Sequence, residues 1–88
     1  MINTSSIKFG LLLDYFFRNE KAVLSAPAAA GLSGLGVKRA LGALEMLENA
    51  GVLRSMRCGR TRFYSADTRS IYYRHYRWGA HRAARMLN

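Results

Sequence analysis

Four arginines, Arg54, Arg57, Arg60 and Arg62, fall within nine residues around Gly59. A guanidinium is planar, permanently charged and carries five donors in a fork that matches phosphate oxygens and guanine edges. Grouped in this way, such side chains bind polyanions; they do not shuttle protons. Five more arginines follow, and from Arg54 to Asn88 they face one acid, Asp67, whereas five basic and four acidic residues precede Arg54. Nearly all of the +9 net charge therefore sits in the last 35 residues. A block so one-sided repels itself unless a polyanion meets it, and nucleic acid is the first candidate. The competing account is a solubilising surface, but surfaces of that kind usually mix both signs. A second basic group, Lys38 and Arg39, follows Ser33, Gly34 and Gly36.

Other chemistries find little footing. Asp14, Glu20, Glu45, Glu48 and Asp67 are scattered, no Ser or Cys has a base at motif spacing, and no phosphate-loop or dinucleotide glycine pattern occurs. The expectation is a protein that is not an enzyme and uses no cofactor, metal or small-molecule substrate. His75 and His81, six apart, fall on different faces of a helix, and the single cysteine, Cys58, founds neither a disulfide framework nor a cysteine-rich zinc site. Cys58 beside Arg57 reads as a surface thiol, with oxidant sensing through a lowered pKa as the alternative. The weakly apolar stretch from Ala22 to Val37 is broken by Pro27, glycines and serines and cannot span a bilayer, so the expected location is the cytoplasm. A basic C-terminal helix lying on an anionic membrane surface is a minor alternative.

Residues 1–88 are read as one domain. Thr4, Ser5 and Ser6 offer cap oxygens before a first helix over 7–19. Its Phe9, Leu12, Leu13, Phe16 and Phe17 make one apolar stripe, and Ile7, Leu11 and Tyr15 make a second, more than one small core needs. The surplus predicts a subunit interface. Ala22–Ala30 reads as a short second helix with Pro27 in its first turn behind Ser25, stopped by Gly31; Gly31, Ser33, Gly34 and Gly36 form the next turn. From Val37 the spacing is helical again up to Gly51, with Val37, Ala40, Leu41, Leu44, Leu47 and Ala50 on one side. Val52–Arg57 and Thr61–Ser65 read as a two-stranded hairpin with Gly59 at its tip. Asp67 or Thr68 caps a last helix over 68–87, whose Tyr72 and Tyr76 share a face.

The order of these elements and the residues VKRALGALEMLENAGVLRSMRCGRTRFY, from Val37 to Tyr64, resemble a winged helix-turn-helix of the bacterial ArsR and MarR type. In that family pattern a helix with leucines three apart is followed by a small residue, Gly and two aliphatics, here Leu44, Leu47, Ala50, Gly51, Val52 and Leu53, and then by a basic hairpin ending in aromatics. The resemblance implies a mainly α fold with a small two-stranded β wing, and a sequence-specific transcriptional regulator of double-stranded DNA. The paired cysteines of metal-sensing relatives are missing.

On this plan helix 34–50 enters the major groove and wing 54–65 meets the backbone or minor groove. Gly34, Gly36 and Gly42 allow close approach, Arg39 reads a guanine, and Lys38 with the helix N-terminus positions a phosphate. Ser33 and Ser5 are weaker phosphate candidates. Arg60 enters a minor groove, with Arg57, Arg62 and Arg54 along the wing, although charge on a hairpin edge also guards against strand pairing. Phe63 and Met56 are expected to pack inward, and Tyr64 either to finish the core or to stack on sugar. Phe9, Leu13, Phe16, Tyr72, Tyr76 and Trp78 are the expected homodimer interface. The leading reading is a repressor. An accessory or architectural nucleic-acid binder of plasmid or phage replication, transfer or partition, and a winged helix that binds only protein, are the alternatives.

Overall fold

The computed structural model describes residues 4–75. Its elements run α1 (Thr4–Arg18), β1 (Val23–Leu24), α2 (Ala26–Ser33), α3 (Val37–Asn49), β2 (Leu53–Cys58) and β3 (Thr61–Ala66), with helical residues again over 71–75. The three strands form one antiparallel sheet in the order β1-β3-β2. No helix among the described residues is long and apolar enough to cross a membrane.

Each helix buries one stripe. Leu12, Phe16 and Phe17 of α1, Ala29 and Ala30 of α2, and Ala40, Ala43, Leu44 and Leu47 of α3 meet Val52, Leu53, Tyr64, Ala66 and Tyr73 in a single core. The alanines let α2 and α3 approach closely. At the far side the Phe17 and Tyr73 rings pack edge to face, 5.4 Å between centroids, which fastens the start of the last helical segment to α1.

Three expectations about the elements are corrected. First, Val23 and Leu24 are not helical: they pair with Ser65 and Tyr64, so the sheet has a third strand beyond the two-stranded wing. The helix begins instead after Ser25, whose Oγ accepts from the Ala28 N–H at 3.4 Å, with Pro27 in the first turn where no N–H is needed. Second, α2 runs through Gly31 and ends at Gly34, which takes the left-handed conformation at φ +81°. Third, the last helical segment is capped by Ser70, not Asp67 or Thr68. Its Oγ accepts from the Tyr72 N–H at 3.2 Å, and its carbonyl accepts from the Arg74 N–H.

Gly51 ends α3 as expected, at φ +80°, with the Val52 N–H returning to the Leu47 carbonyl. A side chain there would be strained, and its Cβ would also lie 2.9 Å from Tyr72 Cδ2. Tyr64 finishes the core: it is fully buried, and its hydroxyl has no hydrogen-bond partner among the described residues. Met56, expected inward, is exposed, while its cross-strand partner Phe63 is half-buried.

Two substitutions test this packing by thermal or denaturant unfolding. Gly51→Ala is expected to cost about 1–3 kcal/mol, from backbone strain and the clash with Tyr72 together. Tyr64→Phe, which removes a buried oxygen without a partner among the described residues, is expected to be neutral or stabilising; a loss of about 1 kcal/mol or more would show that the hydroxyl is satisfied.

Candidate nucleic-acid interface

The core face of α3 fixes its outward face. With Ala40, Ala43, Leu44 and Leu47 inside, Lys38, Gly42, Glu45 and Asn49 recur at three-and-four spacing along the opposite side, all exposed. They form the crown of the helix. Arg39 and Met46 stand on one flank and Leu41 with Glu48 on the other. At its N-terminus α3 has no side-chain cap, because the capping residue is Gly36. The first-turn N–H groups and the positive end of the helix dipole therefore face outward beside Lys38.

Lys8 joins this corner from α1. Its Cε and Nζ lie 3.5 and 4.0 Å from the point where a Cβ on Gly34 would stand, so the ammonium rests against the α2–α3 turn. Nothing in the spacing of the sequence marks Lys8, because the contact joins residues 26 positions apart; the signal is a lone lysine on a helix that otherwise carries its apolar stripes there.

Strand register sorts the wing. In an antiparallel ribbon, directly opposed residues share a face and successive pairs alternate. Leu53–Ala66, Ser55–Tyr64 and Arg57–Arg62 therefore lie on one face, and Arg54–Ser65, Met56–Phe63 and Cys58–Thr61 on the other. The first face is the one that turns toward the core and α3: Leu53, Ala66 and Tyr64 are buried in it, and the Ser55 hydroxyl donates to the Glu48 carboxylate on the α3 flank. Arg57 and Arg62 continue that face beyond the core, opposite each other and exposed. Neither has an acidic partner among the described residues. Two like charges directly across a ribbon destabilise it, which makes a counter-anion the natural third member. Arg60 lies in the two-residue tip with Gly59, whose φ is +64°.

Not every expected contact residue lies on the inner wing face or the exposed α3 surface. Arg54 lies on the outer face, where its Nε donates to Ser65 Oγ at 3.4 Å. Ser33 is buried: its hydroxyl donates to the Ala29 carbonyl at 2.7 Å and accepts from the Leu35 N–H at 3.2 Å, so it closes α2 and is not available to a phosphate. Gly34, Gly36 and Gly42 are exposed along the turn and crown, as close approach requires. Of the expected dimer residues, Phe16 is fully enclosed by the chain's own core, and Phe9 and Leu13 are partly buried against it. They belong to the stripe that α1 turns inward, while the other stripe leaves Ile7 and Leu11 exposed. Tyr72 is 61% exposed, and its neighbour Tyr73 takes the core position. Tyr76, Trp78 and His81 lie outside the described residues, as does Ser5's side chain. No group of three or more His, Cys, Asp or Glu among the described residues can hold a metal ion.

A solved chain of HOP2, from work on that protein's DNA recognition and protein interaction domains and its homologous DNA pairing, superposes with a TM-score of 0.59. The two are 26% identical over 68% of this chain and 98% of that one. The fold is a winged helix. No protein-family model matches the chain, and no curated protein matches it.

Because Ser33 is structural, Ser33→Ala is expected to lower stability by about 1–3 kcal/mol, as it leaves the buried Leu35 N–H without an acceptor. Measured well below the melting temperature, the variant should bind duplex as the parent does; a selective loss of affinity with stability intact would return Ser33 to the interface.

Proposed function

We propose that this winged helix binds double-stranded DNA and acts as a sequence-specific regulator, most simply a repressor that occludes a promoter. One observation carries the reading: the hairpin register sets Arg57 and Arg62 on the ribbon face that turns toward α3, next to the flank of an exposed, uncapped helix. A helix whose crown is exposed among the described residues fits the major groove, and a basic ribbon beside it reaches the flanking backbone or minor groove. The similarity to a HOP2 chain studied for DNA recognition supports the duplex as ligand. The resemblance of Val37–Tyr64 to ArsR and MarR regulators is what suggests regulation.

The crown redistributes the roles within the groove. Lys38 stands on it and Arg39 on the flank away from the wing, so Lys38 is the better placed to reach a guanine edge, and Arg39 a phosphate on the groove wall. Lys8 and the α3 N-terminus hold the neighbouring phosphate. A homodimer, cytoplasmic and without catalytic activity, completes the proposal, because two copies give a two-fold contact with a palindromic site.

The HOP2 similarity also favours a second reading, an accessory binder that positions DNA for another enzyme, since pairing of homologous DNA is what that work describes. Selection of bound sites from random duplex separates the two. A regulator is expected to prefer its enriched site over random duplex by about a thousandfold or more; near-equal binding would leave the accessory role. Lys38→Ala is expected to relax preference at one base position by about 1–3 kcal/mol, and Arg60→Ala to weaken all duplexes alike. An unchanged preference ranking in the Lys38 variant would refute its role.

A further inference from the structure

One exposed residue does not fit a surface that merely attracts phosphate. Glu45 stands on the crown of α3, two turns beyond Lys38, in the stripe that also holds Gly42 and Asn49. Its neighbours three and four positions away are Leu41, Gly42, Glu48 and Asn49, none of them cationic, and it has no ion-pair partner among the described residues. A carboxylate in this place would be repelled by any phosphate the crown approached. Within a major groove it finds a partner only where a base edge offers a donor. Cytosine presents its N4 amino group there with no acceptor of its own on that edge, whereas adenine sets its N7 acceptor next to its amino group.

Resting on the duplex-binding reading above, we infer that Glu45 is a specificity residue that selects a C·G pair by accepting a hydrogen bond from cytosine N4 and by excluding bases that present only acceptors. Seven residues at about 1.5 Å each separate it from Lys38, so the selected cytosine lies about three base pairs from the guanine that Lys38 reads. Gly42, between them, leaves no side chain to hold the helix away from the groove floor. The carboxylate lowers affinity for random duplex and so widens the gap between right and wrong sites.

The test is selection of bound sites from random duplex, followed by competition binding, with wild type, Glu45→Ala and Glu45→Gln. Glu45 is exposed, so melting temperatures should match and report equal folding. Wild type is expected to favour cytosine at one position by about tenfold or more. Glu45→Ala should lose that preference alone and bind random duplex several-fold more tightly, and Glu45→Gln should move the preference to adenine, whose edge pairs with a carboxamide. Identical base preferences in all three proteins, with duplex binding retained, would overturn the inference and leave duplex binding standing. Failure of wild type to retain any duplex would overturn both.

Discussion

Across the hairpin, Arg57 faces Arg62 with no carboxylate between them, on the side of the ribbon that Ser55 ties to Glu48 of α3. This pairing is a constraint of register. A slip of β2 by one residue against β3 would send Arg57 to the outer face and bring Met56 inward, and with them the burial of Leu53 would be lost. The same burial that stabilises the core thus aims the wing. The Ser55–Glu48 bond then sets the wing against α3, so the spacing between the α3 crown and the wing arginines is a property of packed elements and not of a loop.

The N-terminal corner of α3 follows the same logic. Gly34 ends α2 in the left-handed conformation, Ser33 closes it from inside, and Gly36 opens α3 without a side chain to cap it. The turn is therefore tight, small and electrically positive, and Lys8 from α1 adds a charge to it. A capped helix with a bulky first turn would fold as well but could not bring its backbone near a phosphate. Stability and function part company at Ser33, which the fold consumes entirely.

Much of this was legible in the chain. The helical spacing from Val37, the stop at Gly51 and the hairpin around Gly59 follow from local periodicity and glycine chemistry, and the structure has them all; the helix expected over 34–50 begins only at Val37, because Gly34 closes α2 and Gly36 caps α3. What local pattern does not carry is pairing at a distance. Val23 and Leu24 look like part of an alanine-rich helix until β3, some forty residues on, supplies the other half of the ladder. Lys8 was silent for the same reason. On α1 two apolar stripes compete, and periodicity does not say which one faces inward; Phe16 went to the core because α2 and β3 lie on its side. Arg39 and Lys38 are adjacent in sequence but differ by a quarter turn or more on the helix, and only the burial of Ala40, Ala43, Leu44 and Leu47 shows which stands on the crown.

The proposed duplex contact depends most on Arg57 and Arg62 meeting phosphates together with the α3 corner, and the salt dependence of duplex affinity measures this directly. With about five phosphates neutralised, log affinity should fall against log salt with a slope near −4 to −5, and removing both wing arginines should make it shallower by about two. A slope near zero, or one unchanged in the doubly substituted protein, would contradict it.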